Sequence, residues 1–173
     1  MTQLIKTYYE NNQLKEMYFE NDGKIEGEYK VYYNNGQLFS ICNYINGKIE
    51  EKYKSYHNNG QPYVICNYVD DKQEGECTVY NNDGQLFVIC NYVDGKLEDE
   101  YKEYYANGQL KEICYFIDDK MNGECTEYYS NGQLHNRQFK SQNYKKVIRK
   151  TSSKNKEKSN SHNIKSNHVK YDF

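Results

Sequence analysis

Apolar and polar residues do not run at random along this chain. They recur with a step of 24 residues. Gly36-Gln37-Leu38 returns as Gly60-Gln61-Pro62, Gly84-Gln85-Leu86, Gly108-Gln109-Leu110 and Gly132-Gln133-Leu134. Asn12-Gln13-Leu14 extends the series backwards. A fixed period of this length marks a repeat architecture. Within one unit, Gln85–Val93 is rich in β-branched and aromatic residues, as a half-buried strand requires. Asp94-Gly95 follows and suits a type I′ turn, whose two central residues both need φ > 0. Residues 98–105 then place tyrosines among charges and predict a second strand. Asn107-Gly108 turns the chain again. A helix does not fit, because Gly or Asn-Gly interrupts the chain about every dozen residues. The expected fold is all-β: an elongated, single-layer antiparallel β-meander of repeated hairpins, twisted or curled, with about ten to twelve strands.

Five full repeats begin at Asn12, Gly36, Gly60, Gly84 and Gly108, and a partial one at Gly132. Residues 1–11 read as an irregular first strand. In the first repeat, Asn21-Asp22-Gly23 is expected to shift the turn. Pro62 sits at a strand start, where a missing N–H is tolerated. The repeat domain is therefore placed at 1–140. Beyond it the period is lost, and Ser, Asn, Lys and His dominate 141–173. That composition predicts a disordered basic tail.

The pattern Tyr32-Tyr33-Asn34-Asn35-Gly36-Gln37-Leu38, with Gly23-Lys24-Ile25-Glu26-Gly27-Glu28-Tyr29, resembles the MORN repeat. It is similar to the variant found in the YwqK-family antitoxin proteins, and the likeness covers roughly residues 7–139. The glycine of Gly-Glu-Tyr is replaced by Glu51 and Asp99 in two repeats, and the aromatic by Cys77 and Cys125 in two others. The resemblance implies a scaffold, a membrane-linked adaptor or an antitoxin-like protein that neutralises a partner toxin.

Mean hydropathy is −1.15 and apolar residues make up 36% of the chain, too little to fill a compact globule easily. A one-layer sheet asks for less, because each repeat contacts only its neighbours. The 21 tyrosines supply large rings whose hydroxyls can stay wet. Charge divides unevenly: residues 1–140 carry a net −9 and residues 141–173 a net +7. No segment reads as a transmembrane span or a signal peptide, so the expected location is intracellular and cytoplasmic, with the six cysteines as thiols.

Cys42, Cys66, Cys90 and Cys114 recur every 24 residues. One repeat is two strands, or about 9–10 Å, too far for disulfides or a tetrahedral metal site. They read as a column of small buried side chains. Hairpin register sets Cys66 opposite Cys77 and Cys114 opposite Cys125. Each pair could be bridged, could hold a metal, or could simply exchange size against Tyr53 and Tyr101, and size exchange is the reading taken. No catalytic, cofactor-binding or metal-ligating residue is assigned, and no enzyme activity is expected. Carboxylates such as Asp70-Asp71 and Asp118-Asp119 read as solvated turns.

The candidate partner-binding residues are Tyr32, Tyr56, Tyr80, Tyr104 and Tyr128, one per repeat. Met17, Ile41, Ile65, Ile89 and Ile113 form a second column. Apolar residues fall on both faces: Phe87 and Ile89 are expected opposite Leu86, Val88 and Cys90. Lys145, Lys146, Arg149 and Lys150 are candidate tail contacts for nucleic acid or anionic lipid. The expected function is a non-enzymatic repeat scaffold for protein–protein interaction. A protein partner is expected, and homo-oligomerisation through a sheet edge is a further option. The alternatives are a phospholipid or membrane-surface adaptor and an antitoxin-like protein.

Overall fold

In a computed structural model the described residues are Met1–Lys140, which form one unit. The sequence-predicted tail and its four contact residues lie outside them. Thirteen strands make one antiparallel sheet. They are β1 (Gln3–Tyr8), β2 (Leu14–Asn21), β3 (Lys24–Tyr32), β4 (Leu38–Ile45), β5 (Lys48–Tyr56), β6 (Pro62–Val69) and β7 (Lys72–Tyr80). They continue as β8 (Leu86–Val93), β9 (Lys96–Tyr104), β10 (Leu110–Ile117), β11 (Lys120–Met121), β12 (Gly123–Tyr128) and β13 (Leu134–Lys140). Spatial order follows chain order, with β11 a short side branch on β10. There is no helix among the described residues, hence none long and apolar enough to cross a membrane. The sheet is open, so β1 and β13 are its edges.

Two kinds of turn alternate. The first is the two-residue turn at Asp22-Gly23, Asn46-Gly47, Asp70-Asp71, Asp94-Gly95 and Asp118-Asp119, where both residues have positive φ. This is the type I′ geometry, whose twist matches that of the flanking strands. The first repeat is not shifted as expected: Asn21 pairs with Lys24 just as Ile45 pairs with Lys48. The second turn is longer. The Gly36 amide donates to the Tyr33 carbonyl at 2.9 Å, and the Tyr33 amide donates to the Gln37 carbonyl at 2.8 Å. Gly36 is left-handed at φ 85°, giving a type I turn closed by a G1 bulge. Asn35 Oδ1 accepts the Gln37 amide at 3.0 Å and stiffens the turn from within.

Each long turn costs the ladder one residue. Val31 pairs with Ser40 but Tyr32 with Leu38. Likewise Val79 pairs with Val88 but Tyr80 with Leu86. Cross-strand partners share a face. Leu86 therefore stands with Tyr80 rather than with Val88 and Cys90, which corrects the alternation expected from the sequence.

A second bulge lies opposite Tyr18 and opposite Cys42, Cys66 and Cys90. Ile41 pairs with Lys54 and Asn43 with Glu50, so the single residue Cys42 faces Glu51, Lys52 and Tyr53. The bulge opens on a left-handed residue: Gly27, Glu51, Gly75 and Asp99, with φ of 77°, 63°, 75° and 60°. The two replaced glycines of the repeat are thus the two strained positions. Left-handed backbone costs a non-glycine residue about 1–2 kcal/mol, partly offset by glycine's freedom in the unfolded chain. Glu51→Gly or Asp99→Gly should each stabilise the sheet by roughly 0.5–1 kcal/mol, read as a higher urea midpoint. Gly75→Glu should do the reverse, and through φ alone, because a Cβ there meets nothing within 4 Å.

The pairing defines two rows on one face. One runs Val31, Ser40, Ser55, Val64, Val79, Val88 and then Glu103, Glu112, Glu127. The other holds the cysteines beside tyrosines: Tyr29 with Cys42, Tyr53 with Cys66, Cys77 with Cys90, Tyr101 with Cys114. All six cysteines are buried, from 1% to 5% exposed. A single layer buries them because rings close over small side chains. Tyr29 meets Tyr44 at 5.5 Å between centroids, Tyr53 meets Tyr68 at 5.8 Å, and Tyr101 meets Phe116 at 5.8 Å. The central cluster is Cys66, Cys77, Val88 and Cys90, packed by Val64, Val79 and Tyr92 among others.

Cys66 faces the bulge Gly75–Cys77 on β7, next to the pair Ile65–Thr78, so Cys77 stands beside it as expected. On its other edge β7 pairs Cys77 with Cys90, so three thiols adjoin. One expectation about the cysteines changes. Cys114 and Cys125 are joined in a disulfide, so these two are not thiols and do more than exchange size.

Candidate interaction surface

Along a strand, side chains alternate between faces. Tyr32 follows Val31 and Tyr80 follows Val79, so the tyrosine column lies opposite the buried cysteines. It shares its face with a row that alternates apolar and polar residues: Lys30, Ile41, Lys54, Ile65, Thr78, Ile89, Lys102 and Ile113. At the far end of the same strands stand Ile45, Val69, Val93 and Ile117, between 43% and 52% exposed. Each repeat thus presents, across one face, a tyrosine, an isoleucine and an exposed aliphatic tip. Tyr32, Tyr56, Tyr80, Tyr104 and Tyr128 are all half-buried. None of the ring contacts among the described residues joins two of them. The column is a set of separate steps rather than a continuous aromatic stack.

Hydrogen bonds at the long turns fix those steps. Tyr9 Oη donates to the Tyr32 carbonyl at 2.7 Å, Tyr33 Oη to Tyr56 at 2.7 Å, and Tyr105 Oη to Tyr128 at 2.8 Å. His57 takes the same place toward Tyr80, with Nε2 2.9 Å from its carbonyl, which requires the proton on Nε2. Asparagine adds a parallel rung: Asn11, Asn35, Asn59 and Asn107 each donate their side-chain amide to the carbonyl 23 residues on, within 3.5 Å. The asparagine rung breaks at Asp83, and the tyrosine–histidine series breaks at Asn81, whose side-chain amide turns to Gln85 Oε1 at 3.2 Å. Asn81→Tyr should restore a donor toward Tyr104. It should stabilise the sheet by about 1 kcal/mol, seen as a higher melting temperature.

The opposite edge is clamped by charge. Lys48, Lys72 and Lys96 pair with Asp70, Asp94 and Asp118 of the next repeat at 2.8, 2.5 and 2.6 Å. Such exposed pairs are worth only about 0–1 kcal/mol each. More directional are the carboxylates that cap turn amides. Glu26, Glu50, Glu74 and Glu98 accept the first turn amide of the next repeat at 2.8–2.9 Å. Asp71 and Asp119 accept the Ile49 and Leu97 amides at 2.7 and 2.8 Å. The turns read as merely solvated are therefore repeat-to-repeat fastenings. The Lys48 ammonium beside it holds the Asp70 carboxyl below its ordinary range, and Lys96 does the same for Asp118.

On the buried face the tyrosines and Cys42 are shifted the other way. Burial pushes the Cys42 thiol up to about 11. Burial, with Glu16 adding to it, pushes Tyr29 up to about 12, and burial does the same for Tyr68 and Tyr92. Cys77 is also raised, because its thiol donates toward Cys66 and Cys90 and burial adds to that, and the same contact lowers Cys66 and Cys90. Sequence reasoning missed His57 and the Glu103–Glu112–Glu127 row. The first could have been found by noting that His57 occupies the phase of Tyr9, Tyr33 and Tyr105. The second shows in the same way, as glutamate where other repeats hold Val or Ser.

A comparison with curated proteins gives no match. Among solved structures, one similar chain is described as "Crystal structure of GtfA/B complex bound to UDP and GlcNAc". It is 10% identical, covers 74% of this chain and 25% of that one, and has a TM-score of 0.27. Another belongs to "accessory secretory protein 1,2 and 3 in Streptococcus pneumoniae", at 14% identity, 72% and 18% coverage and a TM-score of 0.23. The chain spans a quarter or less of those molecules, and likeness at this level carries no functional argument. The family described as the MORN repeat variant matches six times, at residues 4–24, 25–46, 52–70, 73–94, 100–118 and 121–139. Repeats of this type are non-enzymatic and commonly serve interaction with proteins or membranes. With six matches in phase along a hairpin meander, the chain belongs to the MORN repeat variant family.

Proposed function

We propose that this protein is a non-enzymatic scaffold that binds another protein through the face carrying the tyrosine column. One observation carries the reading. The sheet is a single layer, and the face opposite its buried cysteines repeats an apolar set at equal steps, including four aliphatic tips about half exposed. Apolar side chains in a periodic, uncovered array mark an interaction surface. Tyrosine suits such a surface because it offers contact area at small entropic cost together with a hydroxyl. The mechanism is additive: a rigid sheet presents many modest contacts, each repeat supplying the same ones. Rigidity comes from the turn fastenings, so little order is lost on binding.

The test is binding with variants on this face. Tyr80→Ser and Val93→Ser leave the cysteine face untouched. Each should weaken a captured partner by about tenfold or more if the surface is central to the contact. Unchanged affinity in both would remove this face from the interaction. Salt-sensitive binding to anionic vesicles, without a protein partner, would favour the membrane reading instead.

A further inference from the structure

We propose that Glu112, Cys114 and Cys125 form a site for a thiophilic divalent cation of the zinc type, opened by reduction of the Cys114–Cys125 disulfide. The inference is independent of the docking face, because these residues lie on the opposite side of the sheet. Cys114 is 1% and Cys125 5% exposed. Glu112 Oε1 lies 2.8 Å from one sulfur and 2.9 Å from the other. One oxygen and two sulfurs thus lie within 4.8 Å of one another.

In the oxidised state this arrangement is poorly matched. A disulfide sulfur has no proton to donate, so a carboxylate oxygen set against two of them gains no hydrogen bond and meets their lone pairs. The same three atoms are matched once a cation sits among them. Two sulfurs select a soft or borderline ion over magnesium or calcium, and three protein donors leave a fourth position open.

The repeat itself provides the comparison. Positions equivalent to Glu112 are Glu16, Ser40, Val64 and Val88, and beside Glu16 the place of the repeated cysteine is held by Tyr18. Cys66 and Cys77 also bring two sulfurs together, but there the residue is Val64, and no carboxylate faces them. Apart from Glu16, glutamate stands in this row at Glu103, Glu112 and Glu127, where the sulfur pair is Cys114–Cys125. Of the three, Glu112 is the one whose carboxylate oxygen lies against both sulfurs.

The chemistry balances with a small-molecule thiol as reductant. Two external thiols give up two electrons and become a disulfide, and the Cys114–Cys125 bond becomes two thiols. The cation then displaces two protons and binds two thiolates and the Glu112 carboxylate.

The experiment uses the full chain, first reduced and then freed of thiol, with Zn²⁺ and Co²⁺ as probes. Intact mass reports the state of the disulfide. One Co²⁺ per chain, with a thiolate-to-cobalt charge-transfer band and tetrahedral visible bands, is expected after reduction and not before. Zn²⁺ should displace it. Cys114→Ser should abolish the band, Glu112→Gln should weaken Zn²⁺ binding by about tenfold or more, and Cys77→Ser should leave it unchanged. Glu112→Gln keeps both sulfurs, so it informs even where Cys114→Ser disturbs folding. A reduced chain that binds neither ion overturns the proposal. So does binding that survives both Glu112→Gln and Cys114→Ser, or that is lost with Cys77.

Discussion

Cys90→Asp should destabilise the sheet by roughly 3–5 kcal/mol, the cost of leaving a charge buried and unpaired. Cys90 is 5% exposed and packs in the cluster of Cys66, Cys77 and Val88 under Tyr92 and Tyr101. Its cross-strand partner is Cys77, which cannot supply a positive charge. An aspartate there must desolvate its carboxylate or take up a proton, and either costs stability at neutral pH. Cys90→Ser should cost far less, on the order of 1 kcal/mol, because the hydroxyl is small and neutral. Urea titrations of the two variants separate the outcomes. Comparable midpoints would mean that this face is not the packed one. Repeat proteins lose stability through neighbour contacts, so the aspartate should also broaden the transition as flanking repeats uncouple.

The second large effect is alkaline. Cys42 rises from 9.0 to about 11 in the folded chain, and Tyr29, Tyr68 and Tyr92 from 10.0 to about 12. The folded protein therefore holds these protons more tightly than the unfolded chain does. Their contribution is complete below about pH 9, falls as the unfolded groups begin to ionise, and is gone above about pH 12. Thermal melts followed by circular dichroism should show a melting temperature that drops steeply from pH 9 to 11. Cys42→Ala should remove part of the slope at its lower end, at some cost in packing. A melting temperature constant to pH 11 would mean that the rings and thiols of this face are open to solvent.

The period alone made the meander legible. Apart from the first, whose expected shift is absent, each two-residue turn stands where Asp/Asn-Gly or Asp-Asp marks it, and strand order follows from hairpin after hairpin. The bulges were not legible, and they account for most of the differences. Register counted from the turn at Asp70-Asp71 without a bulge would set Cys66 against Gly75; the surplus residues at Gly75–Cys77 bring Cys77 beside Cys66, while the other edge of β7 pairs Cys77 with Cys90. The same bulges hide at Glu51 and Asp99, where no glycine announces a left-handed backbone. Leu86 changes face for a similar reason: one residue is absorbed beside the long turn. The tyrosine column was visible in the repeat, but its half-burial was not, because that depends on which face the bulges give to the cysteines. The fastenings by Glu26, Glu50, Glu74 and Glu98 join neighbouring repeats across about 20 residues, a separation that no local pattern exposes.

The central claim is that the repeat sheet, through its tyrosine face, is the binding surface. Its most direct test compares the intact chain, a chain ending at Lys140, and the intact chain with Tyr80→Ser and Val93→Ser, each used to capture partners from the native cell. Affinities are then measured with the purified partner. The account predicts that the intact and shortened chains bind one protein with similar affinity and that the doubly substituted chain loses it. It is contradicted if the shortened chain binds nothing while the intact chain retains nucleic acid or membrane, because residues 141–173 then carry the function and the sheet is their support.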